Sequence, residues 1–359
     1  MPEHHSIVII GAGLSGLYTA WCLHQQQKDI ILLEASDRVG GRIRSLCLGE
    51  KAESCVDLGP AWLWPQYQSR LEQLIAELKL GLFKQYTQGK IIYESASGQI
   101  ERYPGPSAHN ESWRIAGGAQ KLIEALQSQL PASTIRLNTR VRSVQQAPLS
   151  VQALVEGKSR TLGADKIVLA LPPRVTLENI EFDPSLPEEI PQLWKQTSTW
   201  MAAQSKMLFI YDKPFWREQN SSGEVFSQRG PLTEIYDGSP DNEEFYALTA
   251  FVGLPAQQRH ELGRKQLIEL CLSQLQRLFG EVSQTPVDIQ IKDWGQDRLI
   301  TTDIDLNTVS RHPDYPGNLP RHLWESKIIL AGTEVARQHG GYLEGALESA
   351  DEAISLCAE

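Results

Sequence analysis

The sequence predicts an α/β protein, α+β overall, in which one domain built from both ends of the chain is interleaved with a smaller mixed-sheet domain. An apolar, β-branched run at residues 7–10 leads into a glycine-rich turn, as a buried parallel strand does. A second apolar run at residues 328–330 also ends in a glycine-containing segment. We read the two turns as opposite walls of one site, so the chain leaves the first domain and returns to close it.

The first glycine-rich turn has the spacing of a Rossmann-like dinucleotide cradle. Gly11 permits the tight turn, Gly13 lets the backbone approach a pyrophosphate, and Gly16 lets the next helix pack close to the strand. A helix is predicted over residues 15–25, and its N-terminal amides and dipole favour an anion. Leu14 and Ser15, at the junction of the turn and this helix, are predicted to bind the cofactor with the three glycines.

An acidic residue follows the next predicted strand, at residues 30–33. Glu34 can accept hydrogen bonds from both ribose hydroxyls and would repel a 2′-phosphate, which argues against NADP. The cradle and this acid do not distinguish an NAD-binding site from an FAD-binding site. The segment that follows adds fixed positive charge for a pyrophosphate or flavin edge. Its predicted cofactor-binding residues are Ala35, Arg38, Gly41 and Arg42.

Together with the stretch from Asp57 to Trp62, this pattern resembles the flavin-containing amine oxidase family, which includes monoamine, polyamine and L-amino-acid oxidases. The resemblance is best at residues 6–62, 113–174, 205–216 and 327–354, and it implies FAD as the cofactor. It also implies that a backbone position such as Val141 contacts the adenine. The remaining FAD-binding residues that it implies are Gly59, Pro60, Ala61, Trp62, Trp294, Gly332, Glu334, Tyr342 and Leu343.

A lysine lies on an otherwise apolar predicted strand. Lys206 is followed by the run from Lys213 to Trp216, which resembles a strand and turn of the family. In the family this lysine reaches flavin N5 through a water molecule, and the resemblance therefore implies that Lys206 is a catalytic residue that orients water or activates O2 during flavin reoxidation. Burial of an ammonium group is costly unless it has a partner or a function.

The C-terminal segment resembles the family's second flavin wall. Glu334 lies in an Ala-Gly-Thr-Glu run that contacts the ribityl and pyrophosphate region in the family, and Tyr342 resembles the aromatic residue beside the flavin, our second catalytic prediction. A helix is predicted over residues 343–356. Its N-terminus would point at the pyrimidine end of the flavin ring, where the helix dipole stabilises negative charge.

Two departures from the family bear on chemistry. Residues 294–303 contain no cysteine for a covalent flavin link, so we predict non-covalent FAD. The second wall of an aromatic cage falls on Ile304, which is aliphatic. Trp62, Trp64 and Trp294 are alternative cavity walls, and a substrate carboxylate would need an arginine, for which the candidates are Arg217, Arg229 and Arg298.

The predicted domain boundaries follow from these segments. Residues 1–74, 113–174 and 293–359 form the FAD-binding domain, and residues 75–112 and 175–292 form the substrate domain. Strands within residues 135–171 are predicted to form the small sheet that covers the adenine side. Helices are predicted over 69–80 and 263–279, and strands over 206–211 and 245–252. Residues 81–112 are fewer than those of the corresponding segment in the monoamine oxidases that the chain resembles, which implies a smaller substrate domain and a more open cavity.

The composition of the chain indicates which binding partners and which cellular location to expect. The net charge of −10 disfavours nucleic acid and anionic membranes as partners. No apolar run is long enough to span a bilayer and no signal peptide is evident, so we predict a cytoplasmic protein. The five cysteines are scattered and odd in number, which argues against a disulfide framework or a zinc site and favours buried thiols for most of them. No metal is expected, and the oligomeric state is left open.

The function predicted on this basis is FAD-dependent oxidation of an amine or amino acid to an imine, with O2 as acceptor and H2O2 as product. One alternative is a related dehydrogenase, resembling protoporphyrinogen oxidases or carotenoid desaturases, which share the N-terminal signature. The other alternative is a flavoprotein that acts only as a non-catalytic partner.

Overall fold

The computed structural model describes residues 3–48, 54–307, 312–315 and 317–359. The larger of its two main sheets has nine strands and confirms the Rossmann-like prediction. Seven of them lie in the spatial order Glu181–Asp183, Thr139–Gln146, Leu149–Val155, Lys158–Leu169, Glu3–Ile10, Ile30–Leu33 and Ile135–Arg136. Ile328–Leu330 pairs with Lys158–Leu169, and His322–Leu323 pairs with Ile328–Leu330.

Strand Glu3–Ile10 is buried on both faces at its carboxyl end, as its unbroken apolar run predicts. Ile7 and Ile9 pack against one layer, whereas Val8 and Ile10 pack against the other. The first layer consists of four helices, each of which contributes one apolar face. They are Leu14–Gln25, Ser69–Glu77, Gln120–Ser128 and Leu343–Ala358.

The strands predicted to form a small sheet at residues 135–171 belong to the larger sheet. Strand Lys158–Leu169 has twelve residues and serves both regions. Its first half pairs antiparallel with Leu149–Val155, and its second half pairs parallel with Ile328–Leu330, while Glu3–Ile10 runs along the other side. Because one strand spans both pairings, the adenine-side strands extend the central sheet.

The second main sheet carries Lys206. Its seven strands lie in the order Asp288–Asp293, Ser205–Tyr211, Tyr246–Val252, Leu232–Asp237, Ser221–Ser227, Lys90–Glu94 and Ile100–Tyr103. Helix Ala256–Phe279 covers one face and is interrupted at Gly263, where φ is 70°. The helix predicted to start at residue 263 therefore corresponds to the second of two joined helical pieces.

A hairpin of strands Ser45–Cys47 and Cys55–Asp57 packs against the second sheet through Val56 and Leu208. Cys47 and Cys55 face each other in this hairpin and form a disulfide, so the expectation of no disulfide was wrong. The odd cysteine count hid a local pair that only the hairpin register reveals. Free cysteines in the described part of the chain are Cys22, Cys271 and Cys357.

The remaining elements are short. Strands Leu82–Lys84 and Trp113–Ile115 pair with each other, and the short α-helices are Pro173–Asn179, Glu189–Gln196, Phe215–Glu218 and Asp303–Leu306. Short 3-10 turns lie at Pro65–Tyr67, Ala132–Thr134, Glu281–Gln284, Trp294–Gln296 and Thr333–Val335. Strand Glu181–Asp183 joins the first sheet although the sequence assigned it to the substrate domain. The domain boundaries themselves stay a prediction.

Candidate active site

A cavity of about 670 Å³ lies at the carboxyl ends of the central parallel strands. Ile10, Leu33, Ala170 and Gly332 each follow or end one of these strands and line the cavity. Lys206 reaches the same cavity from the second sheet. Ligands of open α/β sheets bind at this edge, so the topology puts a binding site where the sequence expected one.

The glycine-rich turn fits a pyrophosphate. A Cβ on Gly16 would lie 1.9 Å from the carbonyl oxygen of Gly11, so only glycine lets the helix pack this closely. A Cβ on Gly13 would meet nothing within 4 Å, because that position faces the open cavity. No side chain caps the N-terminus of helix Leu14–Gln25, and no acidic residue lies in its first turn. Its amides therefore remain available to an anion.

Glu34 is fixed at the end of its strand. One carboxylate oxygen accepts a hydrogen bond from the Ala12 amide at 2.7 Å, and the other accepts one from the Ser36 amide at 2.9 Å. Each oxygen keeps a lone pair for a ribose hydroxyl. Ala35 and Val141 line the cavity beside it, which suits the adenosine half of a dinucleotide.

Two arginines follow Glu34 and differ in role. Arg38 donates to the carbonyl oxygens of Val39 and Ile43, both at 3.1 Å, so it holds the loop as well as lining the cavity. Arg42 forms a buried ion pair with Glu334, with 2.6 Å between nitrogen and oxygen. Burial lowers the pKa of Arg42, but the adjacent Glu334 charge outweighs it, so the pKa is raised and the guanidinium stays charged.

Lys206 is only 1% exposed and lies in the cavity wall. Its ammonium donates a hydrogen bond to the Gly59 carbonyl oxygen at 2.6 Å and lies 5.2 Å from the Trp62 ring centre and 4.9 Å from that of Phe251. Burial is the main reason that its pKa falls from 10.5 to about 8. The negative charge of Asp57 raises the pKa, and the positive charge of Arg114 lowers it further. The structure thus places this lysine in the interior.

Trp62 forms the indole wall next to Lys206. Its ring nitrogen donates to the Gln85 side-chain oxygen at 2.9 Å, and His109 stacks on the ring at 4.2 Å. His109 is 7% exposed, and burial, assisted by the charge of Lys206, lowers its pKa from 6.5 to about 4. It is therefore neutral at physiological pH, and the sequence analysis had not identified it.

The other predicted aromatic walls also reach the cavity. Trp64 and Trp294 line it, and the Trp294 ring nitrogen donates to the Leu58 carbonyl oxygen at 3.0 Å. Tyr342 lines it as well, at the entrance, where the side chain remains 43% exposed. Ile304 is 40% exposed and is not among the lining residues.

The ring that accompanies Tyr342 is His312, which sequence reasoning missed. The two rings stack with centres 4.7 Å apart and planes 19° apart. Trp200 lies 5.0 Å from His312 and lines the cavity. Since the stacked rings leave no slot between them, His312 supports one face of Tyr342 rather than forming the opposite wall of a cage.

The sequence-predicted residues come together almost completely. Those that line the cavity are Gly11, Gly13, Leu14, Ser15, Glu34, Ala35, Arg38, Gly41, Arg42, Gly59, Pro60, Ala61, Trp62, Val141, Lys206, Trp294, Gly332, Tyr342 and Leu343. Gly16 and Glu334 lie one layer behind, against Gly11 and Arg42. Their individual roles stay predictions.

The three arginines suggested for a substrate carboxylate do not line this cavity. Arg217 pairs with Asp237 at 2.7 Å, and Arg298 pairs with Asp303 at the surface. Arg229 lies near Gly98 at the far edge of the second sheet. In the described ranges no three metal-ligating side chains converge, and no helix has the length and apolar character needed to cross a membrane.

Comparisons with known proteins agree with this geometry. A family model described as flavin containing amine oxidoreductase matches residues 105–353, and one described as an NAD(P)-binding Rossmann-like domain matches residues 9–78. A probable flavin-containing monoamine oxidase A of Dictyostelium discoideum is 24% identical, with 97% of this chain and 96% of that protein covered.

Two solved structures show the same fold. A wild-type putrescine oxidase bound to putrescine superposes with a TM-score of 0.83 at 21% identity, with both chains covered fully. Cyclohexylamine oxidase from Brevibacterium oxydans IH-35A superposes with a TM-score of 0.82 at 20% identity, with 99% of each chain covered.

Proposed function

We propose that the chain is an amine oxidase, with O2 as the electron acceptor. It belongs to the flavin-containing amine oxidoreductase family and is an FAD-dependent enzyme that acts on amines. The amine loses one hydrogen from its α-carbon and one from its nitrogen to become an imine, while O2 gains both hydrogens and becomes H2O2. Water then converts the imine to a carbonyl compound and releases ammonia. FAD supplies the redox chemistry when bound, because it accepts two electrons from the substrate and passes them to O2.

The cavity wall around Lys206 is the observation that carries the oxidase proposal. Its buried ammonium is hydrogen-bonded to the Gly59 carbonyl and keeps two aromatic rings beside it. A fixed positive charge in such a site stabilises the negative charge that develops as O2 takes up electrons. Asp57 attracts this ammonium, but no described carboxylate forms an ion pair with it, so the cost of its burial favours a functional role.

The other residues of the cavity would bind the cofactor and position the substrate. Glu34 would hold the ribose, the open turn at Gly13 the pyrophosphate, and Arg42 the remaining phosphate or flavin edge. Trp62 and Tyr342 would shape the substrate end of the cavity. No carboxylate or unpaired histidine lies beside Lys206 among the described lining residues, so the amine is expected to arrive already deprotonated.

Non-covalent attachment of FAD is supported by the cavity lining. No cysteine is among the described residues that line it, and Cys22, Cys271 and Cys357 all lie within helices. Acid precipitation tests this: the yellow colour should remain entirely in the supernatant. Flavin that stays with the protein pellet would contradict it.

The oxidase proposal is tested by turnover with amines in air. We expect one O2 consumed and one H2O2 formed for each amine oxidised, and a rate that rises with pH as the substrate loses its ammonium proton. Turnover only with an artificial electron acceptor would instead favour a dehydrogenase of the desaturase type. No turnover with any acceptor would favour the non-catalytic alternative.

The cytoplasmic location stays a prediction. Disulfides such as Cys47–Cys55 are more usual in oxidising compartments, so this bond favours a location outside the cytoplasm. Cell fractionation with an antibody against the native chain decides between them.

A further inference from the structure

The hairpin of strands Ser45–Cys47 and Cys55–Asp57 is a two-stranded sheet whose base is part of the cavity wall. Arg44 and Gly59 flank the two strands at this base, and both line the cavity. The Gly59 amide donates to the Arg44 carbonyl oxygen at 3.1 Å, and the Gly59 carbonyl oxygen accepts from Lys206 at 2.6 Å. The backbone that holds the lysine is therefore a continuation of the hairpin.

Two residues from the cysteines, the same hairpin carries a carboxylate that acts on Lys206. Asp57 lies opposite Ser45 and accepts hydrogen bonds from its hydroxyl at 2.5 Å and from the Ala119 amide at 2.8 Å. The negative charge of Asp57 raises the pKa of Lys206 and so opposes the effect of burial. The register of the hairpin therefore determines where this charge lies relative to the lysine.

The disulfide cross-links this short hairpin. Each strand has three residues, and Cys47 and Cys55 lie directly opposite each other in the register. A two-stranded hairpin is only marginally stable by itself, so the S–S bond supports the register. Packing of Val56 against Leu208 keeps the hairpin attached to the second sheet when the bond is open. Reduction should therefore loosen the base of the hairpin without unfolding the protein.

The two cysteines differ in their exposure to solvent. Cys47 is exposed, whereas Cys55 is 2% exposed, so a thiolate or a peroxide can approach the pair from the Cys47 side. The other cysteines of the described ranges are less reactive, because burial raises their thiol pKa. The pKa rises to about 11 for Cys22 and Cys357 and to about 12 for Cys271. Thiol chemistry is thus directed to the hairpin.

We infer that Cys47 and Cys55 form a site of reversible oxidation, which dithiols open and H2O2 closes, and that the closed form holds Lys206 in place for the reaction with O2. The inference rests on the proposed function, because the H2O2 that closes the bond is the product of amine oxidation. The enzyme therefore reaches its full rate as its own product accumulates. In reducing surroundings it works with a loosened cavity wall.

Opening transfers two electrons from the dithiol to the disulfide. One thiolate of the dithiol attacks the Cys47 sulfur, the S–S bond breaks, and Cys55 leaves as a thiolate that takes up a proton. The second thiol of the dithiol then displaces Cys47 as a thiol, and the dithiol becomes a cyclic disulfide. In closing, the Cys47 thiolate attacks H2O2, whose O–O bond breaks to give a sulfenic acid and, with one proton, water. The Cys55 thiol displaces the sulfenic oxygen as a second water and re-forms the S–S bond.

The first test follows the bond and the flavin in the same sample. FAD-loaded enzyme is treated anaerobically with dithiothreitol, desalted and reduced with an amine, and reoxidation is recorded by stopped-flow absorbance after mixing with O2 and catalase. Alkylation and mass spectrometry count the free thiols. We expect two additional thiols, at Cys47 and Cys55, and a reoxidation rate constant lower by about fivefold or more, because the lysine is less well positioned. Treatment of the desalted enzyme with H2O2 before the amine is added should reverse both changes.

The outcomes of this test separate the inference from the proposed function. A bond that dithiothreitol leaves intact in the folded enzyme would overturn the inference, as would an opened bond with an unchanged rate of reoxidation. Both results leave the proposed amine oxidation intact. A flavin that no amine reduces would instead overturn the proposed function, and thiol labelling would then still show whether the pair opens and closes.

The second test removes the pair. The double variant Cys47→Ser, Cys55→Ser should be reoxidised at the rate of the reduced wild type and respond to neither dithiothreitol nor H2O2. Cys22→Ser is the matched control, because it removes a half-buried cysteine outside the hairpin and should keep the full wild-type response. A double variant that is reoxidised as fast as the disulfide form would contradict the coupling. If this variant fails to fold, the comparison of reduced and oxidised wild type decides.

Discussion

Replacement of Lys206 by methionine should make the protein's stability less dependent on pH while it slows the reaction with O2. Burial lowers the lysine pKa from 10.5 to about 8. At 1.36 kcal/mol for each tenfold change, this difference corresponds to about 3 kcal/mol of folding free energy that depends on pH. Because the unfolded lysine binds its proton up to about pH 10.5, wild-type stability should rise between pH 8 and 10.5.

Methionine has nearly the same length and no charge to bury, so Lys206→Met should lack this rise. Its stability advantage over wild type should therefore shrink by about 3 kcal/mol across that range. At pH 7 the advantage is smaller than 3 kcal/mol, because the Gly59 carbonyl loses its donor, at a cost of about 1–3 kcal/mol. Urea unfolding of both FAD-saturated proteins at pH 7, 8.5 and 10 measures these differences.

Lys292→Met is the matched control. Lys292 lies directly opposite Lys206 on the neighbouring strand but pairs with Asp297. Its replacement removes an ion pair and should leave the rise in stability above pH 8 intact. Parallel stability curves for wild type and Lys206→Met would refute the assignment of a buried, perturbed lysine. Unchanged reoxidation by O2 in Lys206→Met would refute its proposed role in that step.

Three further predictions concern the cradle, the buried histidine and the disulfide. Gly13→Ala should keep the apoprotein's melting temperature but weaken FAD binding by roughly tenfold or more, whereas Gly16→Ala should lower the melting temperature of the apoprotein. Fluorescence titration measures FAD binding and calorimetry measures the melting temperature. Equal effects of the two substitutions on both quantities would contradict the geometry. The low pKa of His109 predicts that the wild-type free energy of unfolding falls by about 2 kcal/mol between pH 7 and 4.5, since the unfolded imidazole binds a proton first. The His109→Phe variant should not show this fall. An identical pH dependence of urea unfolding in the two proteins would contradict the prediction. Reduction of Cys47–Cys55 should cost about 2–3 kcal/mol for the short loop that it closes, measured by urea unfolding with and without dithiothreitol, and Cys47→Ser should then be insensitive to the reductant.

The cradle could be predicted from sequence because its physics is local. An apolar run at residues 7–10, a glycine at each of three positions and an acid after the next strand are all read from neighbouring residues. The structure places strand Ile30–Leu33 where it was predicted and starts the first helix one residue early. Lys206 was also predicted, because the run from Lys213 to Trp216 that follows it resembles a strand and turn of the family, and the structure places it on a fully buried strand.

The features that were missed depend on tertiary packing or on strand register, neither of which a local sequence pattern reveals. His109 and Trp62 meet only because two separate segments pack side by side, and a histidine in a polar stretch gives no sign of burial. His312 stacks on Tyr342 across a similar separation. The disulfide required the register of a hairpin, and the continuity of Lys158–Leu169 required knowledge of both of its partners.

Anaerobic titration of the FAD-loaded protein with pentylamine tests the central claim most directly. If the cavity oxidises amines, the visible flavin absorbance should disappear in proportion to the amine added and return when air is admitted, with one H2O2 formed for each flavin. A flavin band that pentylamine, benzylamine and longer apolar amines all leave unchanged would contradict amine oxidation at this site.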